Sequence, residues 1–220
     1  MQLDYQEIKK FWRSRAKIAA QGGRKAVNLG TTPLQHQKQL QILLKHIGPT
    51  DRRFVELGCG TGRITLFLAP WAEEIVAVDF CKPILNVLRQ ELLRKKIKNV
   101  KTFCANAYDK LPVAYGRYDV VLIFGIILHL NDPEWIRTIL NAKRLLKPSG
   151  KIMVRESVGL PRHFEVDKYS KELRAYYKAI YRTPKHIETT FRKCGLETAI
   201  SKKLYQQRKE TGTWFWVFTR

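Results

Sequence analysis

The sequence predicts an α/β fold, a mainly parallel sheet covered on both faces by helices. Two observations carry that expectation. Strand-like and helix-like segments alternate from residue 53 onward, and the strand-like segments "RFVELG", "EIVAVDF", "YDVVLIFG" and "GKIMVRES" are almost continuously apolar. Continuous apolar strands are those buried on both faces, and the alternation supplies the crossover helices that parallel strands require. At 220 residues, with 45% hydrophobic residues, the chain suits one packed core.

The elements follow in order. A charged helix is expected from Tyr5 to Ala20, broken by the glycines of "AAQGGRK" and by "NLGTTP". A second helix starts at Pro33, with Leu34, Leu40, Leu43, Leu44 and Ile47 as its apolar face, and closes at Gly48-Pro49. These segments form an N-terminal helical extension or lid, residues 1–48, ahead of a main domain over 49–220. In the main domain the first strand turns into a helix at Gly62, and the second leads into a helix with Pro83 in its first turn. The third strand is "NVKTFCA". The fourth precedes a helix opened by Asp132-Pro133, with Asp132 read as its N-cap. An insertion over 158–182 follows the fifth strand. In "KYSKELRAYYKAIYR", Tyr169, Leu173, Tyr176, Tyr177, Ile180 and Tyr181 fall on one face of an expected helix. The helix "TPKHIETTFRKCG" is capped by Thr183 and ended by Gly195, and "LETAISKKLYQ" and "GTWFWVFTR" close the chain as two strands.

The balance of 41 Lys+Arg against 19 Asp+Glu gives a net charge of +22, which attracts polyanions or acidic small molecules. The cysteines, Cys59, Cys81, Cys104 and Cys194, lack zinc-site spacing and secreted-scaffold density, so reduced thiols in the cytoplasm and no metal are expected. The most apolar run, "VVLIFGIILHL", is too short to span a bilayer.

The chemistry centres on "VELGCGTGRIT". Gly58, Gly60 and Gly62 permit a tight strand-to-helix turn and close approach of a ligand to the backbone. The dinucleotide fingerprint GxGxxG would place its third glycine at Arg63, and its diphosphate disfavours an adjacent acid such as Glu56. A ligand with positive charge suits the turn better. Asp79 ends the second strand 17 residues beyond Gly62, placed to bond a ribose diol, and Asn106 with the backbone of Ala107 offers groups to an adenine edge. S-adenosylmethionine carries all three features.

These segments, with "VAVDF", "CANAYD", "YDVVLIFGIILHLND" and "LLKPSGKIMVRES", resemble the class I S-adenosylmethionine-dependent methyltransferases over residues 53–157. The resemblance implies a Rossmann-like, seven-stranded, mostly parallel sheet with an antiparallel C-terminal hairpin. It implies that Glu56, Gly58, Gly60 and Gly62 shape the methionine pocket, with Cys59 inside the turn as a small filler, and that Asp79 holds the ribose. Phe80 would flank the adenine, Asn106 would approach its amino group, and Phe124 would line the cofactor. "GRIT" and "HLND" look a little like protein α-N-terminal methyltransferases.

His129 and Glu156, expected at the mouth of the fourth and fifth strands, are the candidate catalytic groups, His129 as proton acceptor from a hydroxyl or ammonium. "NDPEW" has Glu134 where a DPPY-type nucleic-acid motif needs proline. Trp12 and Arg15 are candidates to close over the cofactor or dock the first helix. The expected activity is methyl transfer to an O or N acceptor on a small metabolite; RNA or a protein amine is the alternative acceptor, and a non-catalytic cofactor-binding module the third reading.

Overall fold

A computed structural model describes residues 3–21, 31–171 and 173–220. The predicted break at "AAQGGRK" and "NLGTTP" lies largely outside these residues. Helix α1 spans Tyr5–Ala20 and α2 Pro33–His46; the alternating region then runs β1 (Arg53–Leu57), α3 (Arg63–Leu68), β2 (Glu74–Asp79), α4 (Lys82–Arg94), β3 (Val100–Cys104), β4 (Tyr118–Phe124), a 3-10 turn (Ile127–His129) and α5 (Asp132–Leu145). The chain continues as β5 (Leu146–Gly159), β6 (Phe164–Ser170), β7 (Ala175–Tyr181), α6 (Pro184–Lys193), β8 (Glu197–Arg208) and β9 (Thr211–Thr219).

Seven strands form one sheet in the order β3-β2-β1-β4-β5-β9-β8. It is parallel from β3 to β5, and β9 runs antiparallel to both β5 and β8. The expected mostly parallel sheet with a closing hairpin is the one observed. Strand order reverses between β1 and β4, which opens a crevice beyond their carboxyl ends.

Alternation along each central strand explains its continuous apolarity. In β4, Val121 and Ile123 pack toward Trp135 and Ile139 of α5 and Phe191 of α6, while Val120, Leu122 and Phe124 pack toward Leu43 of α2 and Ile64 and Leu68 of α3. Of the five residues expected on the inner face of α2, Leu43 is buried and Leu40 and Ile47 pack against the core, while Leu34 and Leu44 are exposed and Gln39 and Ile42 are buried instead. The cause is Gln39, whose amide donates to the Tyr205 hydroxyl at 2.5 Å and accepts from Arg63, so a polar residue sits on the inner face.

Two other local expectations are corrected. The N-cap of α5 is Asn131, which forms a reciprocal capping box with Glu134; Asp132 instead pairs with Arg182. The insertion is a β-hairpin, not a helix: β6 pairs β7 antiparallel, joined by a turn in which Arg174 takes φ +49°. Its tyrosines and isoleucine suit a pleated surface. The Cα register sets Phe164, Val166 and Lys168 opposite Tyr181, Ala179 and Tyr177, which places these six on one face. Tyr177 and Tyr181 share a face under either periodicity, because a separation of four is even in a strand and one turn in a helix. Tyr169, Tyr176 and Ile180 are the ones that move to the other face, the two tyrosines exposed and Ile180 buried.

The hairpin holds α1 in place. Lys178 pairs with Glu7, Ile180 packs on Leu3 and Ile8, and an Arg15 Nη donates to the Leu173 carbonyl at 2.5 Å. Arg15 therefore docks the first helix. No helix among the described residues is long and apolar enough to cross a membrane.

Candidate functional site

A cavity of about 1040 Å³ sits at the switch point, walled by the glycine turn, the ends of β2, β3 and β4, α1 and the β6–β7 hairpin. Small-molecule pockets span roughly 300–1,000 Å³, so this one has room for a cofactor and a second molecule.

The glycine turn is built by three left-handed residues, Gly58 (φ +80°), Gly60 (φ +54°) and Gly62 (φ +80°). Two are required by their neighbours: a Cβ would lie 2.2 Å from Ile126 Cγ2 at Gly58 and 2.2 Å from Leu88 Cδ1 at Gly62. At Gly60 a Cβ would meet nothing within 4 Å. Gly60 lines the cavity, so the space left by its missing side chain is ligand space.

Asp79 ties this turn to the next helix. One carboxylate oxygen accepts from the Gly60 amide at 2.9 Å and the other from the Cys81 amide at 2.8 Å. Burial nevertheless raises its pKa to about 6. Glu56 ends β1, is almost wholly buried and accepts from the Thr65 hydroxyl. Burial lifts its pKa to about 8, so at neutral pH the carboxyl is mostly protonated until a cation reaches it. Cys59 is buried with its thiol raised well above its ordinary pKa, again by burial, which makes it a poor nucleophile.

Phe80, Asn106, Ala107 and Phe124 line the same cavity. The Asn106 side chain is already engaged, its oxygen by the Tyr5 hydroxyl and its nitrogen by Asp109 at 2.8 Å. The Ala107 carbonyl accepts from Asn141 at 2.9 Å.

The two catalytic candidates separate. His129 lines the cavity, with Nδ1 3.2 Å from the Lys178 carbonyl and its ring between the edges of Trp12 and Tyr177. A carbonyl can only accept, so Nδ1 carries the proton and Nε2 keeps its lone pair. Burial lowers the ring's pKa to about 4, which keeps it neutral. Glu156 does not line the cavity. Its oxygens accept from the amides of Ile127 at 2.7 Å and Ser157 at 2.8 Å, so it braces the 3-10 turn that carries His129 instead of facing a substrate.

Sequence reasoning passed over two arginines, Arg63 and Arg155, that line the cavity. The signals were present. A cation in the first turn of a helix opposes the helix dipole, and an arginine inside "IMVRE" interrupts an apolar strand. Arg63 Nη1 is buried without a partner, and its pKa is pushed down to about 9 by burial and by the charge of Arg155. Among the described residues there is no cluster able to hold a metal ion.

Fold and cavity together define a class: a Rossmann-like α/β protein with its ligand site at the switch point, beside a turn flanked by carboxyl groups. Residues 54–150 match the family model described as a methyltransferase domain. The chain is 31% identical to phosphoethanolamine N-methyltransferase 1 of Triticum aestivum over 156 residues, 70% of this chain and 29% of that protein. It is 28% identical to α N-terminal protein methyltransferase 1 of Arabidopsis thaliana, covering 77% of this chain and 58% of the relative. Among solved structures, a complex of DhpI with SAM and HEP aligns with a TM-score of 0.74 at 15% identity, covering 98% of this chain and 97% of that one. A SAM-dependent methyltransferase of Leishmania major aligns with a TM-score of 0.71 at 18% identity, covering 97% and 82%. The chain carries a methyltransferase domain over residues 54–150 on the fold of S-adenosylmethionine-dependent methyltransferases. It spans less than two thirds of the length of the curated relatives named here.

Proposed function

We propose that the protein transfers a methyl group from S-adenosylmethionine to an amine or hydroxyl of a small metabolite. The observation that carries this reading is the convergence of Glu56, Asp79 and Asn106, from three successive strand ends, on one cavity beside the open face of Gly60. When bound, S-adenosylmethionine supplies a methyl group on a positively charged sulfur, already activated for in-line displacement.

The chain's own groups fit that cofactor. Glu56 would ionise beside its cationic end, and Arg63, whose Nη1 is buried without a partner, would pair its carboxylate. Asp79 has lone pairs left for the ribose hydroxyls, Phe80 offers a flank for the adenine, and Phe124 closes the wall. Asn106, already held by Tyr5 and Asp109, would reach adenine through the second lone pair of its oxygen or the second hydrogen of its nitrogen. His129 Nε2 is the group positioned to take the proton an acceptor sheds, and Glu156 acts by holding the turn beneath it. The hairpin and α1 exclude water and align the acceptor.

The phosphoethanolamine N-methyltransferase match supports a small amine as acceptor. A protein N-terminal amine is the second reading, favoured by the α N-terminal methyltransferase match. Transfer of tritiated methyl from labelled cofactor into fractionated extract separates them: label among small molecules supports the first, label in protein the second. Calorimetry that detects no cofactor binding at millimolar concentration overturns both. Replacing His129 with Gln is expected to lower kcat by about 10²-fold or more with cofactor affinity unchanged.

A further inference from the structure

The cofactor roles leave Arg155, in the cavity wall, without a task. Arg155 lies on β5, and its guanidinium nitrogens are 3.2 and 3.3 Å from where a Cβ on Gly125 would stand. The absent side chain at Gly125, which takes φ +72°, makes room for it beside the Phe124 ring, 5.7 Å from the ring centroid. Its Nε is buried without a hydrogen-bond partner, and among the described residues it forms no ion pair.

Among the described residues no carboxylate bonds to it. The carboxyls whose charges reach it are Glu56 and Glu156. Glu56 is held by Thr65 and Glu156 by backbone amides, and burial pushes them up to about 8 and about 7. The other charge nearby is Arg63, a second cation. Two guanidiniums facing one cavity repel, and neither Glu56 nor Glu156 bonds to Arg155, so an anion placed there recovers both the repulsion and the missing hydrogen bonds. The cofactor carboxylate answers for Arg63. Lys168 and Lys171 of the hairpin line the same cavity and draw further negative charge toward it.

We propose that Arg155 is the docking group for an oxyanion, a phosphate or carboxylate, carried by the methyl acceptor. The guanidinium fork matches the geometry of either group. This inference rests on the methyltransferase reading, since it assigns Arg63 to the cofactor. It narrows the acceptor to small molecules that carry an anion at one end and the methylated nitrogen or oxygen at the other.

The test uses the full chain saturated with S-adenosylhomocysteine, titrated by calorimetry with inorganic phosphate and, separately, with acetate at equal ionic strength. At least one should bind, and Arg155→Met should weaken it by about ten- to a hundredfold while cofactor affinity changes less than twofold. Arg155→Lys should recover part of the loss, which a misfolded variant would not. Tighter phosphate indicates a phosphorylated acceptor, and tighter acetate a carboxylated one. Failure of both anions to bind the loaded protein overturns the proposal. So does an Arg155→Met variant that loses cofactor affinity instead, since both arginines would then serve one carboxylate. If S-adenosylhomocysteine does not bind, the methyltransferase reading fails on its own, and phosphate titrated into the empty protein still reports whether Arg155 holds an anion.

Discussion

Under the proposed function, Glu56 would couple cofactor capture to pH. Burial puts its carboxyl at about 8, so a cation binding to its ionised form must displace a proton below that pH. Apparent affinity for S-adenosylhomocysteine should therefore rise by up to about tenfold per unit between pH 6 and 8 and then level. Calorimetry at pH 7 in two buffers of different ionisation enthalpy should show release of about one proton per ligand; no release would mean Glu56 stays neutral. Gly60 invites a second test. Alanine there would strain a left-handed residue by about 1–2 kcal/mol and put a methyl into ligand space. Gly60→Ala should fold, melt a few degrees lower, and bind cofactor at least about tenfold more weakly. Glu56, Asp79 and the glycines were legible because their types and spacing are local. Arg63 and Arg155 were not, because an unpartnered guanidinium is a property of its surroundings.

The 3-10 turn is where separate elements meet. Arg182, only 1% exposed, follows β7 and donates to the carbonyls of Ile127 at 2.9 Å and Leu130 at 2.8 Å and to Asp132 at 2.6 Å, over the Trp135 ring. From the other side Glu156 accepts from the Ile127 amide. His129 is thus held by β5 and by the hairpin's end, not by its own strand alone. Arg182→Met should cost about 2–4 kcal/mol in denaturant unfolding. Its kcat should fall while cofactor affinity stays, a split that simple destabilisation would not produce. The hairpin itself was misread as a helix because Tyr177 and Tyr181 satisfy both periods, and only pairing with β6 decided between them.

At the scale of the whole molecule, the net charge of +22 and the cations around the cavity define a field that favours anionic ligands. For an anionic acceptor, kcat/KM should fall several-fold as salt rises from about 10 to 300 mM, with kcat little changed. A flat profile would show that the surface charge plays no part in acceptor capture. The sheet supplies the frame for this field, since the reversal between β1 and β4 gathers residues from five separate strand ends and turns into one wall.

Composition, apolar runs and turn chemistry determined the parallel sheet, its closing hairpin and the cofactor half of the cavity, because period, caps and glycine turns act within a few residues. Tertiary structure alone decided the half of the cavity that the proposal gives to the acceptor: the hairpin, the bracing of His129, the engagement of Glu156 by backbone amides and the place of Arg155 in the wall without an ion-pair partner. Those outcomes depend on which distant groups share a dielectric and a hydrogen bond, and such distances exist only after the chain has folded.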